Sequence, residues 1–204
     1  MEAFAQGRDV HTETASWVFE LPADFITDEQ RRFAKVINFG LLYGMSAHGL
    51  AQRMGIKRFE AASIVERYFK VFPHVSAYLQ NSAKEAKERG YTRSLFGRIR
   101  PLSEVTTIEG RGGGSIDRVA VNTPIQSAAA DIAKLAMIRL QEAIDAEYPD
   151  VRLVLQVHDS LVCECPPERA DSFASCLISV MEAVPALDIP LKAELKRGNS
   201  MAEM

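Results

Sequence analysis

The change of pattern near residue 150 constrains the fold of this 204-residue chain more than any other feature. Up to Glu147, apolar residues recur mostly at helical spacing. Two short runs rich in β-branched residues follow, 152–158 and 161–165, with a proline before the first and another after the second. We predict two strands joined by a tight turn at Asp159 and Ser160. Helices followed by a short hairpin indicate an α+β fold, in which the helices are segregated from a small antiparallel sheet.

Capping and helix-breaking residues give the boundaries of the predicted elements. Thr27 precedes a run of acidic and amide residues and marks the start of a helix, for which Gly44 and Gly55 are candidate ends. Pro124 is expected to kink or divide a long helix, with Thr123 as the cap of its second part. The remaining predicted elements are helices at about 58–71, 73–90, 115–147 and 168–181, a glycine-rich loop at 109–115, and a final strand at 191–195.

Composition excludes several classes of protein. Apolar residues make up 47% of the chain and charged residues 25%, which is typical of a folded globular protein. No apolar run approaches the ~20 residues that span a membrane, and the N-terminus lacks the pattern of a signal peptide, so we expect a cytoplasmic protein without a membrane partner. The net charge of −3 excludes a uniformly basic DNA-coating protein. The three cysteines have no zinc-binding spacing and indicate no disulfide framework.

Two cations and two aromatic residues share the most informative spacing in the chain. Arg31, Lys35, Phe39 and Tyr43 follow one another at four-residue steps, which places them on one slanted face of the predicted helix. Such a face matches a nucleoside triphosphate, because cations suit the phosphates and ring faces suit the sugar and base. Spacing alone leaves a second interpretation open, in which the aromatic pair faces the core and the basic residues are solvated.

Residues 31–46, RRFAKVINFGLLYGMS, resemble motif B of the family A DNA polymerases. In that family the motif is the helix of the fingers subdomain that closes over the incoming nucleotide. The resemblance implies that Arg31 and Lys35 hold the phosphates, with Lys35 also acting in catalysis. It implies that Phe39 packs on the sugar and base and that Tyr43 lies beside the nascent base pair. Phenylalanine at position 39 is similar to the members that discriminate against dideoxynucleotides.

A second segment, Gln156 to Asp159, resembles motif C of the same family. A carboxylate at the tip of a hairpin suits a hard divalent cation, although a turn-forming aspartate is the commoner explanation when it stands alone. The resemblance implies that Asp159 is a catalytic ligand of two Mg²⁺ ions and that His158 lies near the primer end. Ser160 stands where the family commonly has glutamate, which implies a weaker negative field around the metals.

Other segments resemble parts of the family that contact DNA or nucleotide. Arg118, Asn122 and Gln126 again step by four, and residues 122–131 resemble the helix that contacts the primer-template, which implies DNA binding through the minor groove. His11 resembles the histidine after motif A that approaches the nucleotide phosphates. A cluster of arginines suits DNA phosphates, although a charge cluster is more often a solvated surface: Arg89, Arg93, Arg98 and Arg100.

Together the resemblances predict the C-terminal part of a DNA-directed DNA polymerase shaped like a right hand. Residues 1–26 would be a palm segment following motif A, 27–110 the fingers, and 111–204 the rest of the palm, with a small antiparallel sheet. The enzyme would use primer-template DNA and dNTPs in the cytoplasm, at the nucleoid. The second aspartate ligand belongs to motif A and is expected upstream of Met1, so we expect this chain to be inactive alone and to need an upstream palm and thumb polypeptide. The alternatives are a non-catalytic nucleotide- or DNA-binding subunit, and a helical protein with coincidental motifs.

Overall fold

The computed structural model of this chain describes residues 2–103, 113–184 and 189–203. It is mostly helical, with two separate two-stranded antiparallel sheets, which confirms the α+β prediction. Within the described residues, no helix is long and apolar enough to cross a membrane.

The helices are α1 Glu2–Ala5, α2 Val10–Phe19, α3 Asp28–Leu42, α4 Ala47–Met54, α5 Arg58–Val71, α6 Pro73–Arg89, α7 Gly113–Glu147 and α8 Ala170–Glu182. The strands are β1 Tyr91–Arg93, β2 Ile99–Pro101, β3 Arg152–Val157 and β4 Ser160–Glu164, and short 3₁₀ turns lie at Ala23–Phe25, Pro167–Arg169 and Met201–Glu203.

The chain forms two compact units, Met1–Ser127 and Ala128–Met204. The first has its main core around buried Ile37 and Leu41 of α3, which pack with residues of α2, α4 and α5. The second has its core where α7 and α8 meet one face of the β3–β4 hairpin. This division does not test the subdomain boundaries at 26/27 and 110/111, which stay predictions.

Helix α3 begins and ends where its local sequence dictates. The Thr27 side chain caps the backbone N–H of Gln30, and the Gln30 side chain accepts a hydrogen bond from the Thr27 N–H at 2.9 Å, which completes a capping box. The helix stops beside Gly44, whose φ of 77° is a left-handed conformation that glycine adopts without strain. Because Ile37 and Leu41 face the core, Lys35 and Phe39 are turned to the exposed side of the helix.

Helix α7 is continuous through Pro124, so of the predicted kink or division the division is wrong, and so is the predicted cap at Thr123; the kink stays a prediction. Proline has no N–H to donate to the carbonyl four residues earlier, which here belongs to Ala120. The Thr92 hydroxyl of β1 donates to this carbonyl at 3.4 Å in its place. The side chain of Thr123 accepts a hydrogen bond from Arg100 of β2 at 3.2 Å instead of capping a helix. The helix therefore continues through proline because a neighbouring element supplies the missing donor.

We expect Thr92→Val to lower the free energy of unfolding by about 1–3 kcal/mol, because it leaves the buried Ala120 carbonyl unpaired. Thr92 is 5% exposed, and valine keeps its shape. Pro124→Ala restores the helical N–H, so Thr92→Val should cost less in that background. Urea unfolding of the four proteins of this double-mutant cycle measures the difference. Equal costs with proline and with alanine would mean that the hydroxyl does not replace the helical donor.

The second unit departs from the predictions at two places. The turn between β3 and β4 consists of His158 and Asp159, one residue earlier than predicted, and Val157 pairs with Ser160. His158 has a φ of 56°, a left-handed conformation that histidine tolerates better than a β-branched residue does. The predicted strand at 191–195 is wrong, since these residues pair with no strand in the described parts of the chain. Of the predicted loop at 109–115, residues 109–112 lie outside the described residues and Gly113 begins α7.

Candidate functional site

The five residues predicted to bind nucleotide lie together in the first unit. We call them the nucleotide face: His11 of α2, Arg31, Lys35 and Phe39 of α3, and Tyr43 at its C-terminal cap. Phe39 and Tyr43 are 42% and 40% exposed, which excludes the core-facing interpretation of this aromatic pair. Their rings stack with centroids 6.2 Å apart and planes 14° apart. The Nζ atom of Lys35 lies 6.0 Å from the Phe39 ring centroid, so cation and rings form one continuous surface.

Helix α2 places His11 beside this surface. The His11 ring centroid lies 5.5 Å from that of Phe39. Asp9 caps α2 by accepting hydrogen bonds from the backbone N–H of His11 at 2.8 Å and of Thr12 at 3.1 Å, which fixes where the helix begins. Burial lowers the pKa of His11 below its ordinary value of 6.5; Asp9 opposes this shift, and Arg31 and Lys35 add to it. The nucleotide face therefore combines two cations with a histidine that favours its neutral form.

The predicted phosphate-binding Arg31 is already paired with a carboxylate in this structure. Its Nε atom donates to the Asp9 carboxylate at 2.9 Å, and Nη2 donates to the same oxygen. Burial raises the pKa of Asp9, but hydrogen bonds from Arg31 and from the N–H groups of Thr12 and His11 outweigh it and lower that pKa. An incoming anion would therefore have to share or displace this partner. Sequence reasoning missed the pair because Asp9 lies 22 residues before Arg31 and no local pattern joins them.

A buried polar residue behind the nucleotide face was also missed. Asn38 of α3 is 7% exposed, and its Nδ2 atom lies 3.0 Å from His11 Nδ1 and 3.0 Å from Thr14 Oγ1. The only signal in the sequence is a polar residue beside Ile37, on the side of α3 that is otherwise apolar. Asn38 therefore connects α3, which carries Phe39, to α2, which carries His11.

The residues of α7 predicted to bind DNA lie at one end of that helix. Arg118 and Gln126 are exposed and Asn122 is half-buried. A side chain built at Gly44 would meet the Cγ atom of Arg118 at 3.2 Å, so Arg118 lies against the end of α3 and close to the nucleotide face. The Oδ1 atom of Asn122 is buried and has no hydrogen-bond partner among the described residues. Because this oxygen is shielded from solvent, a ligand reaches it only if the side chain moves.

The predicted arginine cluster lies on and beside the β1–β2 hairpin, which was not predicted. Arg89 pairs with Glu85 at 3.0 Å, and Arg100 donates to Thr123. A cleft of about 240 Å³ between α6, β1 and α7 is lined by Arg89 and Arg93 among others. Part of the predicted phosphate-binding charge is thus engaged in holding this hairpin against the helices.

Asp159 and His158 are exposed at the β3–β4 turn of the second unit. The Gln156 side chain donates to the His158 carbonyl at 2.5 Å and braces the turn. A carboxylate oxygen is the kind of donor that Mg²⁺ prefers, so the chemistry of Asp159 fits this ion. The described residues contain no group of three or more His, Cys, Asp or Glu side chains arranged to hold a metal. Asp159 can therefore supply one ligand, but this part of the chain does not complete a metal site.

Comparison with known proteins gives one consistent result. The sequence model of DNA polymerase family A matches residues 1–203. The chain is 44% identical over 198 residues to the thermostable DNA polymerase I of Thermus aquaticus, covering 97% of this chain and 24% of that protein. It is 42% identical over 200 residues to the DNA polymerase I of Bacillus subtilis, covering 98% and 23%. The solved POL domain of Pol1 from M. smegmatis, in complex with DNA primer-template and dNTP, superimposes with a TM-score of 0.87 at 39% identity, covering 94% of this chain and 34% of that one. The chain thus spans about a quarter of the length of these curated relatives.

Proposed function

Because this chain belongs to DNA polymerase family A, we propose that it is the part of a DNA-directed DNA polymerase that binds the incoming nucleotide and the primer-template. The observation that carries the proposal is the nucleotide face, where two cations, a histidine and two stacked exposed rings converge in the first unit. These residue types match the phosphates, sugar and base of a dNTP.

In the proposed reaction, the primer 3′ oxygen bonds to the α-phosphorus of the dNTP and pyrophosphate leaves. Lys35 and Arg31 bind the triphosphate, and Lys35 stabilises the charge that develops on the phosphates in the transition state. Phe39 packs on the sugar and base, and Tyr43 continues that surface towards the nascent pair. Arg31 binds Asp9 through Nε and Nη2, so it can donate to a phosphate oxygen through Nη1 while it keeps Asp9, or exchange Asp9 for the phosphate.

We further propose that Asp159 contributes one ligand to a pair of Mg²⁺ ions. Two such ions would activate the attacking oxygen and stabilise the leaving oxygen in an in-line displacement. Asp159 is one carboxylate, and we assign the remaining ligands to residues outside the described parts of this chain. An upstream palm and thumb polypeptide is the partner this implies, and this chain alone would then be inactive.

DNA contacts are assigned to Arg118, Asn122, Gln126 and His158. The side-chain amides of Asn122 and Gln126 can donate to the minor-groove acceptors that all base pairs share, which checks the shape of the duplex without reading its sequence. With this assignment, residues 1–26 and 111–204 belong to the palm and 27–110 to the fingers. A polymerase of this kind would work at chromosomal DNA in the cytoplasm.

The function can be tested in the Thermus aquaticus DNA polymerase I by replacing its matching segment with this chain. We expect the folded hybrid to extend a primer on a template with dNTPs and a divalent cation. A hybrid that unfolds cooperatively and binds primer-template and dNTP, yet incorporates nothing, would favour the non-catalytic binding alternative. A folded hybrid that binds neither would overturn the proposal.

Phe39→Tyr in this hybrid is expected to improve the use of dideoxynucleotides about two- to tenfold. Phenylalanine has no hydroxyl, whereas tyrosine can replace the hydrogen bond lost with the missing 3′-OH, and such a bond contributes roughly 0.5–1.5 kcal/mol. Because Phe39 is exposed, the melting temperature should not change. Primer extension with competing dNTP and ddNTP measures the selectivity. A lower melting temperature at unchanged selectivity would mean that Phe39 serves packing and does not face the sugar.

A further inference from the structure

We infer that Asn38 is a positioning residue that fixes His11 in the tautomer carrying its hydrogen on Nε2. The inference concerns a residue with no assigned role in the proposed function, and its consequence for nucleotide binding rests on that function. We call the four residues involved the relay: Val10, Thr14 and His11 of α2, with Asn38 of α3, of which Thr14 and Asn38 are buried.

The direction of the relay follows from its first bond. The Thr14 hydroxyl lies 2.8 Å from the Val10 carbonyl one turn earlier, and a carbonyl can only accept. The hydroxyl also lies 3.2 Å from Asn38 Oδ1, and we assign its single proton to the shorter bond, to Val10. The Oγ1 atom of Thr14 is left as an acceptor, and Thr14 is 2% exposed, so water does not supply the donor.

The amide of Asn38 supplies that donor. Its Nδ2 atom lies 3.0 Å from Thr14 Oγ1, whereas its Oδ1 atom lies 3.2 Å from the same hydroxyl oxygen. Reversing the amide would exchange these two distances and place the carbonyl oxygen 3.0 Å from both Thr14 Oγ1 and His11 Nδ1, an orientation in which His11 Nδ1 would have to carry the ring hydrogen. The second hydrogen on Nδ2 faces His11 Nδ1 at 3.0 Å.

His11 Nδ1 must then accept, and the ring hydrogen is on Nε2. Nε2 has no hydrogen-bond partner among the described residues, so it is available to a ligand. A neutral ring with this tautomer donates one hydrogen bond to a phosphate oxygen without taking up a proton. If Nδ1 were protonated, its N–H would face the N–H of Asn38 Nδ2, and the Asn38 amide would have to reverse to accept from it. The charged groups that act on the ring are Asp9, Arg31 and Lys35, and burial favours the same neutral form.

The tautomer can be read directly by ¹⁵N-histidine NMR of the complete 204-residue chain at pH 7.5. The chain has four histidines, and His11→Gln identifies the signal. We expect the Nε2–H pattern for His11. An Nδ1–H pattern or an imidazolium signal in the unmutated chain would overturn the inference, whatever the outcome of the polymerase assay.

A substitution that reverses the polarity gives a second readout. A carboxylate in Asn38→Asp can only accept, so His11 should change to the Nδ1–H or charged form. Asn81→Asp adds the same charge at an exposed position of α6 and should leave the His11 signal unchanged. An unchanged His11 signal in folded Asn38→Asp would also overturn the inference.

A double-mutant cycle in the hybrid polymerase separates positioning from general structure. We expect Asn38→Ala to raise the KM for dNTP about tenfold, as loss of an orienting partner does elsewhere. In a His11→Ala background the same substitution should have almost no further effect, because there is no ring to orient. Equal effects in the two backgrounds would show that Asn38 acts on the fold alone. Thr14→Val provides a milder variant of the same relay if Asn38→Ala does not fold.

Discussion

Asp159→Asn is expected to reduce primer extension by the hybrid polymerase about 10²- to 10³-fold, the loss typical of removing one preorganised electrostatic group from an active site. Asparagine keeps the size and hydrogen-bonding shape of the side chain but removes the negative charge that a divalent cation needs. Asp159 is exposed at the β3–β4 turn, so folding should be unaffected. Single-turnover incorporation at saturating DNA and dNTP measures the effect.

Glu164→Gln is the matched control for this substitution. Glu164 is exposed at the other end of β4, and the change removes the same charge from the same hairpin. We expect incorporation to stay within about twofold of the unmutated hybrid. Unimpaired extension by Asp159→Asn, at an unchanged melting temperature, would remove Asp159 from the proposed metal site.

Lys35→Ala should weaken dNTP binding about ten- to a hundredfold, since it removes a charge-assisted hydrogen bond to phosphate. Binding of primer-template should change little, because Lys35 lies next to Phe39 on the nucleotide face. Fluorescence titrations of the hybrid with labelled DNA and with dNTP separate the two affinities.

The control is Lys70→Ala, which removes an exposed lysine of α5 that pairs with Glu66 at 2.9 Å. This change should leave both affinities unaltered. If Lys35→Ala weakened DNA and dNTP binding equally, Lys35 would serve the DNA backbone or the fold and not the triphosphate.

Elements with strong local signals were predicted closely from the sequence. The helix at 58–71 has the predicted bounds, and Pro73 and Gly90 bracket α6 as expected. These signals are local. A proline at the first position of a helix, or a left-handed glycine after its last residue, acts through the backbone of only one or two residues. The shared face of Arg31, Lys35, Phe39 and Tyr43 was likewise predictable, because helical geometry alone determines which side chains lie on one face of a helix.

Features that depend on distant partners could not be predicted. Pro124 indicated a kinked or divided helix, and Thr92, which replaces the missing donor, is 28 residues away from its acceptor. Asp9, which pairs with Arg31, and Asn38, which lies beside His11, were missed for the same reason, because each is distant in sequence from its partner. The alternating residues at 191–195 resemble a strand, but a strand also requires a neighbour to pair with, and alternation contains no information about that neighbour.

The spacing of α3 did not by itself decide between a ligand-binding surface and a core-facing pair. The exposure of Phe39 and Tyr43 excludes the core-facing pair, whereas ligand binding by this surface stays a prediction. The resemblance to motif B had already indicated that outcome, but it did not indicate that Arg31 would be bound to Asp9.

Because α7 passes through Pro124, its unfolding is coupled to that of the shorter elements that supply its hydrogen bonds. Within residues 120–123 the helix receives hydrogen bonds from three side chains outside it: Tyr78 of α6, Thr92 of β1 and Arg100 of β2. When the β1–β2 hairpin opens, the Ala120 carbonyl loses its donor and cannot recover one from its own helix. Opening of the hairpin and fraying of α7 around Pro124 therefore belong to one local unfolding event, and the backbone amides of both should exchange with solvent together.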